Sequence, residues 1–126
     1  MANSTIGLPH GLALKIATIL LGLAFLFFGA LKLAGVPDIV AMFETFGLPA
    51  GSNYAIGALE VVGAIGLFVR PVARYAALLL LAIAVGAVIT HVINPPLQQG
   101  VPALVLLAVA AYVAVGSGKS STAVNA

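Results

Sequence analysis

Long apolar runs without charge constrain this chain more than any other feature of its sequence. Of its 126 residues, 63% are hydrophobic and 6% are charged, and the mean hydropathy is +1.24. A soluble domain of this length cannot bury so much apolar surface. Because wide stretches contain no Asp, Glu, Lys or Arg, lipid is the expected solvent. The sequence therefore predicts an all-α integral membrane protein.

Four apolar runs are separated by helix-breaking residues, and the predicted spans cover 12–33, 54–69, 72–93 and 101–115. The first and third spans have about 22 residues, enough to cross a hydrocarbon core about 30 Å thick, whereas the others have about 15 and are marginal. The prolines that follow Arg70 and Asn94 end helices. We therefore expect a bundle of four transmembrane helices. Residues 1–11 form an N-terminal segment that is retained rather than cleaved as a signal peptide, and 116–126 form a flexible tail.

The segment 34–53 is the one substantial loop between predicted spans. Its apolar residues from Ile39 to Phe46 fall near helical spacing beside Asp38 and Glu44. This pattern is typical of a short amphipathic helix that lies along the membrane interface. The triplet Gly47-Leu48-Pro49 is expected to end that helix.

The basic residues predict the orientation of the chain. Lys15, Arg70, Arg74 and Lys119 fall at one set of helix ends, whereas Lys32 falls at the other. The positive-inside rule then places both termini in the cytoplasm and the long first loop outside the inner (plasma) membrane. In this orientation Arg70 and Arg74 contact anionic lipid headgroups.

Glu60 is the clearest candidate for a functional residue. A carboxylate inside an apolar span must pair, take up a proton or face a watery cavity. Gly57 and Ala64 share its helical face, which is small enough for another helix to approach, so we expect Glu60 to point into the bundle. Two interpretations stay open at this point: a carboxyl group that only ties two helices together, and one that binds a ligand or handles a proton.

Other polar residues are predicted at the same membrane face as Glu60. Lys32 lies close to the outer end of the first span, where its side chain either snorkels to the headgroups or turns inward to pair with Glu60. Thr90, His91 and Asn94 share one broad face at the outer end of the third span. His91 is either an interfacial residue bonded to the chain end or a donor and proton carrier for a ligand.

Several chemistries are excluded or disfavoured by the residues present. The chain has no cysteine, which excludes disulfides, iron–sulfur clusters and thiol exchange. His10 and His91 fall on opposite membrane faces, so they cannot hold a haem together, and no metal site is predicted, with His91 plus Glu60 as the one exception. Five basic residues form no stripe that would bind nucleic acid.

Three short segments resemble the DoxX/DoxX-like family in their order and spacing. They are FGALKL at 28–33, FGLP at 46–49 and GALEVVGAIGL at 57–67, and Arg74 before an alanine- and leucine-rich helix is also similar. The resemblance implies a four-helix inner-membrane protein with polar positions at Lys32 and Glu60. The family name is similar to that of a subunit of a thiosulfate:quinone oxidoreductase. Other members are associated with membrane redox complexes, and related eukaryotic proteins look like assembly factors or cargo-binding proteins.

We therefore expect an accessory membrane subunit, without an intrinsic cofactor, that binds a quinone, a lipid or a membrane redox complex. In the quinone version, Lys32 or His91 contacts a carbonyl and Glu60 handles a proton. Membrane lipid, a protein complex and a homo-oligomer are the expected partners. The alternatives are a purely structural membrane protein and a small proton-coupled transporter. Transporters of that kind carry their glutamate in the first helix beside cation-caging aromatic residues, whereas tryptophan is absent here.

Phenylalanines in the first span leave one further question open. Phe25, Phe27 and Phe28 either line an apolar pocket or serve as ordinary packing and lipid-facing residues.

Overall fold

The structure is a computed structural model that describes residues 10–125, with side chains described from 11 to 118. The described residues form five α-helices and no β-strand. The helices are α1 (His10–Leu33), α2 (Pro37–Thr45), α3 (Ser52–Gly66), α4 (Ala73–Ile93) and α5 (Val101–Asn125). Short 3-10 turns at Arg70–Val72 and Leu97–Gly100 lead into α4 and α5. The all-α prediction is confirmed for this part of the chain, and α2 is the short helix expected in the first loop.

The predicted number of four transmembrane helices is not confirmed by helix length. Within the described residues, three segments are long and apolar enough to cross a membrane: Gly11–Leu33, Arg70–Ile93 and Leu97–Gly118. In contrast, α3 has 15 residues, about 22 Å at 1.5 Å per residue, which is shorter than a hydrocarbon core of about 30 Å. The breakers on both sides of α3 limit its length.

The four longer helices pack as a closed ring. Each of α1 and α4 contacts both α3 and α5, and α2 crosses one end of the ring against α1 and α3. Asn53 at the start of α3 bonds to Lys32 near the end of α1, so these two helices are antiparallel. We call the end of the bundle that carries α2 the α2 end.

The opposite end, which we call the basic end, carries Lys15, Arg70 and Arg74. A Cβ atom on Gly116 would lie 2.6 Å from Leu14 Cδ1, which places the later part of α5 beside the start of α1. The side chains of His10 and Lys119 lie outside the described residues. The described basic residues other than Lys32 therefore share one end, as the sequence predicted.

The last helix is longer than the sequence suggested. The final span was predicted to end at residue 115 and to be followed by a flexible tail, but α5 continues to Asn125. Gly116 is buried and packs against Leu14. Because tertiary contacts of this kind outweigh the low helix propensity of Gly and Ser, the helix does not end where the composition changes.

The buried core occupies the half of the bundle nearer the basic end. Its members are Leu21, Phe25, Ala64, Leu67, Ala76, Ala77, Leu80, Ala84, Ala110, Val113 and Ala114. The core includes five alanines on α4 and α5, whose small side chains let the helices approach closely. Toward the α2 end, the same helices instead line a partly open cavity.

Candidate functional site

Two glycines set the distance between α1 and α3 beside the site. A Cβ atom on Gly57 would lie 2.8 Å from the carbonyl oxygen of Gly29, and a Cβ atom on Gly29 would lie 2.9 Å from the carbonyl oxygen of Gly57. The same position on Gly57 is 2.8 Å from Lys32 Cβ. The two backbones therefore touch at this crossing, and the stem of Lys32 passes over Gly57.

Lys32 and Glu60 form a buried ion pair across this crossing. Lys32 lies about one helical turn after Gly29 on α1, and Glu60 lies about one turn after Gly57 on α3. Lys32 Nζ lies 2.9 Å from Glu60 Oε1, and the two side chains are 14% and 6% exposed. Since α1 and α3 are antiparallel, the lysine side chain reaches across the glycine crossing toward the deeper carboxylate. Of the two orientations that the sequence left open for Lys32, the structure has the inward one.

The ion pair leaves hydrogen-bonding capacity on the carboxylate. Glu60 Oε1 is buried and lies 2.9 Å from the Lys32 ammonium, so the lone pairs of the carboxylate that the ammonium does not use are available as acceptors. Lys32 Nζ also lies 5.8 Å from the centroid of the Phe28 ring, within the range of a cation–π contact. The lysine is thus held between a carboxylate and an aromatic face.

Asn53 is a structural residue of the site that the sequence analysis missed. Asn53 is only 3% exposed, and its Nδ2 donates a hydrogen bond of 2.9 Å to the Lys32 carbonyl oxygen. The N–H of Gly35, a residue with φ of +67°, also bonds to that oxygen at 3.2 Å. Carbonyls in the last turn of a helix lack partners within the helix. The one sequence feature that could have identified Asn53 is its position as a polar residue directly before the apolar run that begins at Tyr54.

His91 lies at the α2 end, where the end of α2 covers it. The rings of Phe46 and His91 meet edge to face, with centroids 5.1 Å apart and planes at 84°. His91 Nδ1 is buried and has no hydrogen-bond partner among the described groups. A Cβ atom on Gly100 would lie 2.7 Å from His91 Cβ, so the turn before α5 packs against the stem of this side chain.

The structure separates the three polar residues that the sequence grouped on α4. Thr90 and His91 line the cavity, although the Thr90 hydroxyl donates to the Ala87 carbonyl oxygen at 2.8 Å. Asn94 is not among the lining residues, and its Nδ2 donates to the Thr90 carbonyl oxygen at 2.8 Å. Asn94 therefore bonds to a carbonyl oxygen in the last turn of α4, and such carbonyls lack partners within the helix.

A cavity of about 920 Å³ joins these groups. Its lining residues are Phe25, Phe28, Lys32, Asp38, Met42, Phe43, Phe46, Leu48, Ile56, Glu60, Ala82, Ile83, Ala84, Gly86, Ala87, Thr90, His91, Gln98, Gln99, Pro102, Ala103 and Leu106. All five helices contribute, and α2 covers one side. Phe25 and Phe28 are pocket residues, whereas Phe27 is 59% exposed and faces outward.

This arrangement suits an amphiphilic ligand chemically. The volume is near the upper end of small-molecule sites, which are mostly apolar with a few placed polar groups. The Lys32 ammonium can donate hydrogen bonds, whereas the ionised carboxylate of Glu60 can accept hydrogen bonds but cannot donate them. Within the described residues, no three of His, Asp and Glu come together as metal ligands. Arg70 and Arg74 lie at the basic end, away from the cavity.

The family comparison covers the whole site. The chain matches the family described as DoxX-like over residues 16–113, a stretch that includes all the cavity-lining residues. The chain belongs to the DoxX-like family. No curated protein and no solved structure shows significant similarity to it. This DoxX-like protein is accordingly a membrane protein, as its apolar helices also indicate.

Proposed function

We propose that this DoxX-like protein is an accessory membrane subunit that holds a lipophilic molecule, a quinone or a lipid, between its helices. The observation that carries the proposal is the cavity of about 920 Å³ with a buried ion pair in its wall. Its volume and its mostly apolar lining with a few polar groups are those of small-molecule binding sites.

The lining residues fit a quinone head group. Phe28 and Phe46 offer aromatic faces, Lys32 offers an ammonium donor for a carbonyl, and Glu60 offers a carboxylate that can hold a proton. A bound quinone would supply two-electron chemistry, and the chain's own residues would bind, orient and exchange protons with it. A membrane redox complex would then be the protein partner, since this chain has no cysteine and no evident redox group of its own.

Native mass spectrometry of the protein purified in mild detergent tests this proposal. Ala87 lines the cavity, whereas Ala108 is exposed on α5 and does not. We expect a co-purifying lipophilic molecule that is lost from Ala87→Trp and Glu60→Gln but kept by Ala108→Trp. A molecule retained equally by Ala87→Trp and Ala108→Trp, or no bound molecule in the native protein, would contradict the proposal.

A purely structural role is the second candidate, and the Lys32–Glu60 contact is the observation that favours it. In this version the pair fixes α1 against α3, and partners dock elsewhere on the protein. The same mass spectra distinguish the two, because a structural subunit would carry a stoichiometric protein partner and no ligand. The pairing of Glu60 with a lysine favours both candidates over a proton-coupled transporter, whose carboxylate must exchange between proton and substrate.

We also propose that the basic end faces the cytoplasm and the α2 end faces outward from the inner membrane. Lys15, Arg70 and Arg74 support this orientation. Because the chain has no cysteine, a single introduced cysteine can be labelled specifically in cells. We expect a membrane-impermeant maleimide to label Gln98→Cys in intact cells and Gly11→Cys only after permeabilisation. The reverse pattern would invert the orientation.

A further inference from the structure

The cavity reaches the protein surface in two places. Its exposed lining residues fall into two separate groups: Asp38, Gln98, Gln99 and Pro102 at the α2 end, and Ala82 and Gly86 on α4. The first group is mostly polar and lies where the helices end. The second group has no polar side chain and lies within α4, which is long and apolar enough to cross a membrane. The cavity is therefore accessible from the end of the bundle and from its side.

The side opening follows from the way α3 packs against α4. Near the basic end the two helices touch, because a Cβ atom on Gly63 would lie 2.7 Å from Leu80 Cδ2 and 3.5 Å from Leu79 Cδ2. Ala82 and Gly86 follow Leu79 by three and seven residues, so they lie on the same face of α4. A Cβ atom on Gly86 would meet nothing within 4 Å. The helices therefore separate toward the α2 end, and these small residues leave the gap between them unfilled.

The rim of this side opening is apolar and lies at the depth of lipid chains. On α3, Ile56 lines the cavity and lies seven residues before Gly63, on the same helical face. On α4, Gly86 and Ala82 lie seven and eleven residues before Ile93, the last residue of the helix, which corresponds to about 10 and 16 Å at 1.5 Å per residue. Because a hydrocarbon core is about 30 Å thick, the opening faces acyl chains rather than water or head groups.

From these features we infer that the ligand enters the cavity sideways from the bilayer and that its hydrocarbon chain lies between α3 and α4 at Gly86. This inference rests on the proposed ligand-binding function and narrows the ligand class to quinones or lipids that carry a long alkyl or prenyl chain. Such a chain moves from the bilayer into an apolar opening at little cost, because lipid tails are as apolar as aliphatic side chains. A compact water-soluble molecule would instead enter at the α2 end, past Asp38 and Gln98.

Tryptophan fluorescence can detect a hydrocarbon chain in the cavity, because the protein has no tryptophan of its own. Phe25 lines the cavity and is 1% exposed, so Phe25→Trp places a reporter that surrounding lipid does not contact directly. The protein is stripped of bound lipid by detergent exchange, checked by native mass spectrometry, and reconstituted into phosphatidylcholine with bromine atoms at the middle of its acyl chains. Bromine quenches indole fluorescence at short range. We expect this lipid to quench Phe25→Trp relative to the same lipid without bromine.

Further substitutions test whether the chain passes Gly86. Gly86→Phe adds a ring at the rim of the opening, so most of the quenching of Phe25→Trp should be lost in this background. Val85 is 40% exposed and does not line the cavity, so Val85→Phe adds the same ring at a neighbouring position and should keep the quenching. Phe27→Trp, at a position 59% exposed, should be quenched in both backgrounds. Phe28 also lines the cavity, and Phe28→Trp serves as the reporter if Phe25→Trp does not fold.

The outcomes separate the inference from the proposed function. If the cavity reporter is not quenched while Phe27→Trp is quenched, the inferred path of the chain is wrong, and a molecule that co-purifies with the native protein would still support a ligand site. Equal quenching in the Gly86→Phe and Val85→Phe backgrounds would overturn the assignment of the opening to Gly86. Quenching of the cavity reporter in a protein that never co-purifies with a lipophilic molecule would overturn the proposed function and the ligand class with it, while the side opening would stand.

Discussion

Replacing Gly57 by alanine tests the contact on which the site is built. The added Cβ atom would lie 2.8 Å from the Gly29 carbonyl oxygen, 2.8 Å from Lys32 Cβ and 3.1 Å from the Leu33 nitrogen. None of these atoms is the free end of a flexible side chain, so α1 and α3 must move apart. The shift needed to reach ordinary van der Waals distance is about 0.6–1 Å, and overpacking of this kind typically costs about 1–3 kcal/mol.

The matched control for this substitution is Gly86→Ala. Gly86 lies within α4, and a Cβ atom there would meet nothing within 4 Å. Alanine has the higher helix propensity, by up to about 1 kcal/mol, so this variant should be neutral or slightly stabilised. Reversible unfolding in mixed micelles of mild detergent and dodecyl sulfate gives both free energies of unfolding. If Gly57→Ala is as stable as Gly86→Ala, the proposed close crossing does not hold the bundle together.

Three further predictions concern stability in the same unfolding assay. Lys32→Met and Glu60→Met should each cost about 3–5 kcal/mol, because either change leaves an uncompensated buried charge, whereas the double variant should cost clearly less than their sum. Asn53→Ala should cost about 0.5–1.5 kcal/mol, since the Lys32 carbonyl oxygen loses one of its two donors and keeps the N–H of Gly35. Phe25→Ala should cost about 3 kcal/mol, because its side chain is 1% exposed and its removal leaves a void in the core.

Neighbouring positions provide the controls for these predictions. Ser52 makes an exposed side-chain hydrogen bond, so Ser52→Ala should change stability by no more than about 0.5 kcal/mol. Phe27 is 59% exposed, and Phe27→Ala should have a similarly small effect. Strict additivity of the two charge-removing changes would argue against a coupled ion pair. Equal losses in Phe25→Ala and Phe27→Ala would argue against the described packing of α1.

Helical periodicity and breaker residues were enough to place most of the fold. The runs that became α1, α4 and α5, and the short helix α2, follow from apolar spacing and from Pro and Gly at their ends. The extent of α5 was not predictable in this way. Its helix continues past residue 115 because Gly116 packs against Leu14, and a contact between residues so distant in the chain leaves no local signal.

The candidate site was only partly predictable for a similar reason. Burial cost made Glu60 conspicuous, and helical rise put Lys32 within reach of it. The roles of Asn53 and Asn94 were not apparent from the sequence. Asn53 ties α3 to α1, whereas Asn94 bonds only within the end of α4. Which of these two roles an asparagine takes depends on the helix that packs against it. The cover formed by Phe46 over His91 likewise depends on how the first loop folds back.

The sequence alone determined that this chain belongs in lipid, that its described part is helical and that a carboxylate lies within an apolar helix. These properties follow from local composition and from the cost of placing charge in hydrocarbon. Only the tertiary structure decided that Lys32 turns inward and that Gly29 and Gly57 bring two backbones into contact. It also decided that a cavity lies toward the α2 end, whereas the half of the bundle nearer the basic end is a packed core. Such features arise from the relative placement of whole helices, which depends on side-chain packing between segments far apart in the chain.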